Sequence, residues 1–597
     1  MAEKKPAIDY TSRDFTTIKT DLVNYARRYY PNEFRDFSAN SFGSLMLDAV
    51  SYVGDILSFY LDYQTNESFL STALEYDNVL KLARQFGYKA NLSPSSYGVL
   101  TFFILIPSSN GAPNYDYAPV LKKGSKFKSN IGKMFTLLED INFANQNQTE
   151  TVVGDVDTET GVPLTFAVRA RGQAVSGELA VTNVLVGEYL KFRKMEILDN
   201  NITEIVSVTD SEGNAYYEVD YLTQNTIFVP LINRNEDRTT VVNILKPISV
   251  PRRYVVAKER DKIILQFGFG TNEDEERVLN PSNVMIEQHG KQYITDDSFD
   301  PATLVKTDRL GVTPSNTVLS VVYRVNAAEN TYAAVGTITQ VADPLFEFDS
   351  STNLVSTSMI DVENSLEAIN EEEFVGDVPF PDADEIKSRA FGAYSMQNRM
   401  VTKEDFITAA YGMPPKFGSI SKVNVAQDND SFNQRNANVY VLSQTNTGKL
   451  TLANNTIKNN LKTWFMRYKM INDTIDILDA NIINLQIIFK MISFPSVDKF
   501  SSLDKAKEDL RDYFDRLGGY DIGEPFSITN IYTVLKNSAT VLDVAEVDVM
   551  VTSGGVYSDS NFDASLNRTA DGRKIFCPED SCFEIKFPNS DIIGTVV

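Results

Sequence analysis

The side chains best suited to chemistry near neutral pH are scarce in this sequence. It has a single histidine, His289, set between Gln288 and Gly290, and two cysteines, Cys577 and Cys582. Histidine is the usual general base, proton shuttle and metal ligand, so most hydrolytic and metal-centred designs lack their principal part; an enzyme here would rest on carboxylates or lysine. The cysteines, with no second pair and no nearby histidine, cannot complete a tetrahedral zinc site and read as buried or free thiols. No G-x-S-x-G elbow occurs, which leaves a Ser-His-Asp triad without its usual frame. With 80 acidic side chains, some pair falls at glycosidase separation by chance, so carboxylates alone do not indicate sugar cleavage.

Three local patterns imitate binding motifs and fail on inspection. Asp155, Asp157 and Glu159 resemble the front of a calcium loop, but the glycine, Gly161, comes one place late and the twelfth position is Phe166; a hairpin tip is expected. Gly268 and Gly270 begin a dinucleotide fingerprint whose third glycine position is Glu273, followed by Asp274, Glu275 and Glu276 where a pyrophosphate would sit. Gly448 and Lys449 lack the upstream glycine of a phosphate loop. The densest basic cluster, Lys122, Lys123, Lys126 and Lys128 around Gly124, has no aromatic interleaving and reads as a solvated edge. No catalytic, cofactor or metal residue is assigned.

The elements that would position any site fall into distinct textures. Thr11 with Asp14 suggests a capping box, after which Phe15, Ile18, Leu22, Tyr25 and Tyr29 recur at three and four up to Pro31. A second helix is expected from Asn40 or Ser41, with Leu45, Ala49, Val53, Ile56 and Tyr60 in one stripe and Met46, Val50, Leu57 and Leu61 in another. A third runs from about Phe69 to Phe86 and stops at Gly87. The plainer reading is an intramolecular helical core; the alternative is faces lent to another chain's helices.

From Tyr97 to about Val341 short β-branched and aromatic runs alternate with turn residues. Strands are expected at 99–106, 165–169, 181–186, 227–231, 241–245, 262–267 and 318–325. The acidic stretch 342–382 reads as a connector. Helices resume at 384–394 and at Thr402, whose capping partner is Asp405. Then come strands at 419–423 and 439–442, a helix at 452–468, a strand at 474–489, helices at 503–517 and 528–536, and a strand at 544–551. The residues Phe583, Ile585 and Phe587 alternate as a last strand. The expected class is α+β, elongated and multidomain: an N-terminal helical region at 1–95, a β-rich middle at 96–341, a connector with helices at 342–415 and a C-terminal α+β domain at 416–597.

The chain's 597 residues, 43% of them hydrophobic, exclude a disordered or fibrous protein. Its formal charge of -24 repels phosphate backbones and anionic lipid, so neither nucleic acid nor a membrane is expected as a partner. The start MAEKKPAIDY lacks the apolar core of a signal peptide, which with two cysteines suggests a reducing cytoplasm. The apolar run Phe102–Ile106 is far short of the roughly 20 residues a spanning helix needs, and no bilayer-spanning segment is expected.

As an ordered set, several stretches resemble the baseplate J-like family, wedge components of contractile phage tails and related injection machines. They are Asp9–Phe15 (DYTSRDF), Asp55–Tyr60 (DILSFY), the residues Glu67, Phe69, Leu70, Thr72 and Ala73, and Leu82, Ala83 and Arg84 before Gly87 and Tyr88. The KKGSKF around Gly124 and the FGFG at 267–270 are similar to motifs of that family's β-rich core. The stretches 299–305 (FDPATLV), 310–318 (LGVTPSNTV), 395–405 (SMQNRMVTKED) and 413–420 (MPPKFGSI) look like the larger, T-even type of wedge protein. In place of a further glycine, acidic residues follow FGFG, and the tail after Val551 matches no motif.

The resemblance implies a non-enzymatic structural subunit, two copies of which associate in each of six wedges around a hub, in a virion tail assembled in the host cytoplasm. It implies amino-terminal helices bundled with another wedge protein and carboxy-terminal domains paired to tie wedges into a ring that rearranges on contraction. Sheath-initiator-like and hub-proximal tail proteins are further implied partners. On the apolar stripes, the bundle contacts would be Phe15, Leu22, Tyr25, Leu45, Tyr52, Ile56, Phe59 and Tyr60. The aromatic helix end Trp464, Phe465 and Tyr468 would form the distal pairing patch, and plain core packing is the alternative for each set. A carboxylate-based cell-wall hydrolase and a receptor-binding adhesin are the rival functions.

Overall fold

The computed structural model describes residues 14–30, 41–146, 148–158, 161–199, 201–232, 243–259, 262–271, 310–326, 332–349, 354–376, 381–428, 435–445, 447–495 and 497–597. His289, the stretch 299–305 and the acidic run 273–276 lie outside them. The architecture is α+β and multidomain, with helices first, a β-rich bulk and further helices toward the C-terminus. Two compact units emerge, Met1–Ala90 with Pro381–Gln397, and Asn91–Phe380 with Asn398–Val597.

In the first unit, helix α1 spans Phe15–Tyr29 and helix α2 Phe42–Asn66. Asp14 caps α1: its carboxylate accepts from the Thr17 amide at 2.9 Å, satisfying one of the orphan donors at a helix start; Thr11, its expected partner in a capping box, lies outside the described residues. Ser41 caps α2 through the Ser44 amide. The third helix, α3, is Tyr76–Gln85 and starts later than the apolar spacing suggests. The reason is the buried Glu67, which accepts from the Leu74 amide at 2.8 Å and from Asn78 Nδ2 at 3.0 Å and so folds residues 67–75 into turns. The core of this unit is built by α3 against helix Ala383–Met396, through Val79, Leu80, Ala83, Ile386 and Ala390.

The second unit opens with an antiparallel sheet centred on strands Tyr97–Ser109 and Thr165–Ser176, paired from Tyr97 with Val175 to Pro107 with Thr165. All seven strands expected in the middle region form, most of them extended by a few residues. The stretch expected to be a connector instead adds Glu367–Asn370 to this sheet, pairing Ile369 with Thr101, and Ile338–Asp343, at the end of the expected β-rich middle, joins the same sheet through Lys126–Ser129. In Glu367–Asn370 the buried face is Ala368 and Asn370 while Glu367 and Ile369 point outward, so no apolar alternation marks the strand in the sequence. A second sheet, ordered 194–197, 263–267, 253–258, 215–218, 202–209, 317–325 and 178–186, closes over its own core of Ile202, Leu265, Phe267 and Leu319.

Toward the C-terminus, helix Lys403–Tyr411 begins with the expected capping box, Thr402 and Asp405 satisfying each other's backbone amides. Strands Lys422–Gln427, Asn436–Gln444 and Thr474–Asp479 form one sheet. The single strand expected over 474–489 is two, because at Ala480 the chain leaves that sheet, and Asn481–Ser493 becomes the centre of another. Helices Lys499–Leu517 and Ile528–Asn537 pack on this last sheet around Phe489, Leu510, Ile531 and Phe583. Ser581–Glu584 is a short strand and Ile592–Val596 the final one, both parallel to Asn481–Ser493. At Gly594 a Cβ would meet the Phe489 ring at 2.4 Å, so this glycine is required for the strand to lie flat on the core.

Candidate functional site

The patterns that imitate chemistry resolve into structural duties. Gly268 packs so closely on Leu310 that a Cβ would meet its carbonyl oxygen at 2.2 Å, and Gly270 bridges Val312; the FGFG glycines admit backbone, not phosphate. Asp155–Gly161 lies at a hairpin tip, with Asp157 accepting from the Gly161 amide at 2.9 Å and donating its own amide to Val162. Lys122 sits between Asp140 and Glu347, and Lys126 is 3.5 Å from Asp343. Burial pushes the thiols of Cys577 and Cys582 up to about 12. Among the described residues no group of three or more His, Cys, Asp or Glu converges as a metal site.

What stands out instead is the surface of α2. This helix packs on α1 through its smallest residues: Ser44 and Ser51 are its only buried side chains, and a Cβ at Gly54 would lie 3.2 Å from Ile18 Cδ1. Lys19 of α1 reaches Asp48 of α2 at 2.5 Å. Serine recurs every seventh residue at 44, 51 and 58, and aspartate at 48, 55 and 62. On the side of α2 opposite the serines run Met46, Ala49, Val53, Ile56, Tyr60 and Tyr63, spaced alternately three and four as in a helix-packing seam. Leu45, Tyr52, Val50 and Leu57 flank it, and nearly all of this surface is exposed, up to 69% at the adjoining Leu61. Helix α1 buries no residue at all.

The expected bundle residues therefore occupy one neighbourhood but do not form an intramolecular core. Tyr25, Leu45, Tyr52, Phe59 and Tyr60 are exposed, and Phe15, Leu22 and Ile56 are half-buried. The distal set divides differently. Phe465 is 0% exposed in the chain's own core, and Trp464 is held by its indole N–H on the Ala409 carbonyl at 2.8 Å. The Tyr468 ring lies 5.1 Å from that of Trp464. Their neighbours Met466, Met470 and Ile471, which carry no aromatic ring, are exposed, Ile471 at 95%.

Helix α2 also amends the membrane expectation. It is the one helix among the described residues long and apolar enough, by length and composition, to cross a bilayer. Its serines, glycine and aspartates break the sequence into short apolar runs and conceal that length. An aspartate near the centre of a spanning helix costs about 2.5–3.5 kcal/mol, and α2 carries Asp48, Asp55 and Asp62. The regular polar and small-residue positions fit a helix packed among other helices better than one facing lipid.

Residues 14–85 match the family described as bacteriophage baseplate protein, N-terminal domain. That span runs from the α1 cap to the last residue of α3, so the match falls on the three helices. No curated sequence matches the chain. Among solved structures, the chain is similar to one in the cryo-EM structure of the anti-feeding prophage baseplate, six-fold symmetrised, at 9% identity and a TM-score of 0.27. The alignment covers 96% of this chain and 98% of that one; at that score it carries no argument.

Proposed function

We propose that this chain is a structural wedge subunit of a contractile-tail baseplate, working through its interfaces and transforming no substrate. The baseplate N-terminal domain over residues 14–85 supports the setting. The observation that carries the reading is the seam of exposed Met46, Ala49, Val53 and Tyr60 with half-buried Ile56 and Tyr63, on a helix whose opposite side is already taken by α1. Burying a large apolar side chain contributes roughly 1.5–3 kcal/mol, so a few such contacts hold an assembly. An apolar arc flanked by further apolar residues needs more than one neighbour, which suits a bundle made with a second copy and a helix of another wedge protein.

In this reading the C-terminal region supplies the second contact, pairing subunits across wedges. Its apolar centre is Met466, Met470 and Ile471, with the outer edges of Trp464 and Tyr468; Phe465 belongs to the core and drops out. Two interfaces on one chain, one in each compact unit, are what a ring of wedges requires, and a ring that rearranges needs interfaces with a second packing within a few kcal/mol. The virion tail is the proposed location, with assembly in the host cytoplasm.

Light scattering on the purified chain tests this. We expect dimer mass or larger, with Val53→Asp and Leu57→Asp together removing the association made through α2 and leaving at most that of the C-terminal contact, while the far-UV signal of the fold is kept. A wild-type chain that stays monomeric at high concentration, with neighbouring wedge proteins present, contradicts the reading.

A further inference from the structure

Where the segment 93–97 crosses the second sheet, the chain buries an unusual number of polar side chains on one face. Along strand Thr317–Val325, Tyr323 and Val325 pack on the sheet's core, so Arg324 and, one residue past the strand, Asn326 share the opposite face. The pairing with strand Ile202–Thr209 shifts register between Ile202 and Glu204. Ile202 and Ile205 both belong to the core, so the irregularity turns Thr203 and Glu204 together to the side of Arg324 and Asn326. The segment 93–97 covers that side. The Asn326 amide nitrogen donates to the Pro94 carbonyl at 2.8 Å and to the Ser176 hydroxyl at 3.0 Å, and the Ser96 amide donates to the same hydroxyl at 2.9 Å. Gly177 lets these layers close, since a Cβ there would lie 3.2 Å from Asn326 Cβ and 3.3 Å from Arg324 Cγ.

Four of these side chains are at most 4% exposed: Ser96, Thr203, Arg324 and Asn326. Their hydrogen bonding is only half supplied. Arg324 Nε donates to Glu204 Oε1 at 2.9 Å, but Arg324 Nη1, Asn326 Oδ1 and the hydroxyl oxygens of Ser96 and Thr203 have no partner among the described residues. Buried polar atoms are ordinarily satisfied, and four such atoms in one neighbourhood call for a common ligand. The orientation of Asn326 is fixed, because the Pro94 carbonyl can only accept; its oxygen is the unfilled end.

We propose that Ser96, Thr203, Arg324 and Asn326 enclose a buried water site of about one or two molecules, each making roughly two to four hydrogen bonds. The set holds a donor in Arg324 Nη1, an acceptor in Asn326 Oδ1 and two hydroxyls that serve as either. Water accepts from the first and donates to the second at once. An anion fits worse, since Glu204 already balances Arg324 and the Asn326 oxygen repels negative charge; a metal cation is repelled by the guanidinium. The site lies at a joint. From the same segment Ser95 Oγ donates to the Pro415 carbonyl at 2.7 Å and the Tyr97 hydroxyl to the Lys416 carbonyl, so hydrogen bonds and water seat the turn Pro415–Phe417 on the β-rich middle. None of these residues belongs to either proposed interface, and the site does not depend on the wedge reading.

A high-resolution map of the full chain, with thermal melts of Thr203→Val, tests this. We expect ordered water density within about 3.2 Å of both Arg324 Nη1 and Asn326 Oδ1. Thr203→Val keeps the side-chain shape and loses only the hydroxyl, so its midpoint should fall by about 2 °C or more through the lost bond to water. A midpoint equal to or above the wild type overturns the proposal, because removing a dry, unpaired hydroxyl is neutral or stabilising. An empty region in the map, with the side chains placed as described, overturns it as well. Density for a bound anion, with a midpoint that climbs saturably with chloride, identifies an anion site and overturns the assignment to water.

Discussion

Helix α2 and helix Lys499–Leu517 reverse the usual relation between composition and burial. The first is the most lipid-like helix among the described residues and buries only two serines. The second alternates lysine, aspartate and glutamate along most of its length, yet buries Ala506 and Leu510 in a core with Phe489 and Ile531. A charged helix needs only a narrow apolar stripe to seat on one sheet. A helix apolar over most of its circumference, left uncovered in its own chain, is poorly suited to remain so, because exposed contiguous apolar surface drives association. The core around Phe489, Leu510 and Ile531 is closed by the chain's own residues; the apolar side of α2 is left uncovered by the described residues.

The sharpest way to break that contrast is to place the same substitution in both helices. Leu510→Asp puts a carboxylate into a fully buried site and should unfold the C-terminal domain, with Leu510→Ala costing about 2–5 kcal/mol in denaturant melts. Leu57→Asp, on the exposed side of α2, should change the melting free energy of the isolated chain by no more than about 0.5 kcal/mol while weakening self-association through α2. Equal losses at the two sites would mean that α2 is packed in the monomer after all.

Within the first unit, Glu67→Ala should lower stability by about 1–3 kcal/mol, since it leaves the buried amides of the α2–α3 turn without their acceptor; urea melts followed by far-UV dichroism would show it. The thiols give a further contrast. With burial holding both Cys577 and Cys582 up at about 12, neither should react with a thiol reagent at pH 8 until denaturant is added, whereas a cysteine introduced at Val53 should react at once. Native reactivity at Cys582 would show that the C-terminal domain opens as readily as the hairpin. The smallest effect is expected at Asp14. Hydrogen bonds from Thr17, then Thr16, hold its carboxyl below the usual value, so the cap contributes above pH 4 and is lost only as pH falls through that depressed value. Dichroism should show α1 fraying only in strong acid.

Much of this contrast was legible in the sequence, because period-2 runs of valine, isoleucine and phenylalanine mark strands and period-3.6 stripes mark helices. The seven middle strands, the Thr402 capping box and the broad face of α2 follow from that alone. Three things did not. The change of sheet at Ala480 is marked in the sequence only by Asp479 and Asn481, which interrupt for two positions the alternation that runs from Ile475 and Ile477 to Ile483 and Leu485. The final strand, Ile592–Val596, is interrupted by Gly594, which reads as a breaker until the Phe489 ring above it is seen. The fate of the α2 stripes was open because hydrophobic spacing says that a face will be buried, not by which chain. At the distal patch the aromatics drew attention by size, and size is what placed Phe465 in the core, leaving Met466, Met470 and Ile471 outside.

The central claim is that the apolar side of α2 is open in the isolated chain and closed by other helices in the assembled particle. Hydroxyl-radical footprinting of Met46, Tyr52 and Tyr60, in the free chain and in intact tails, measures that directly. The account predicts strong labelling of all three in the free chain and marked protection in the tail, with Leu510 protected in both. Equal labelling of α2 in the two states, or protection already present in the free monomer, would contradict it.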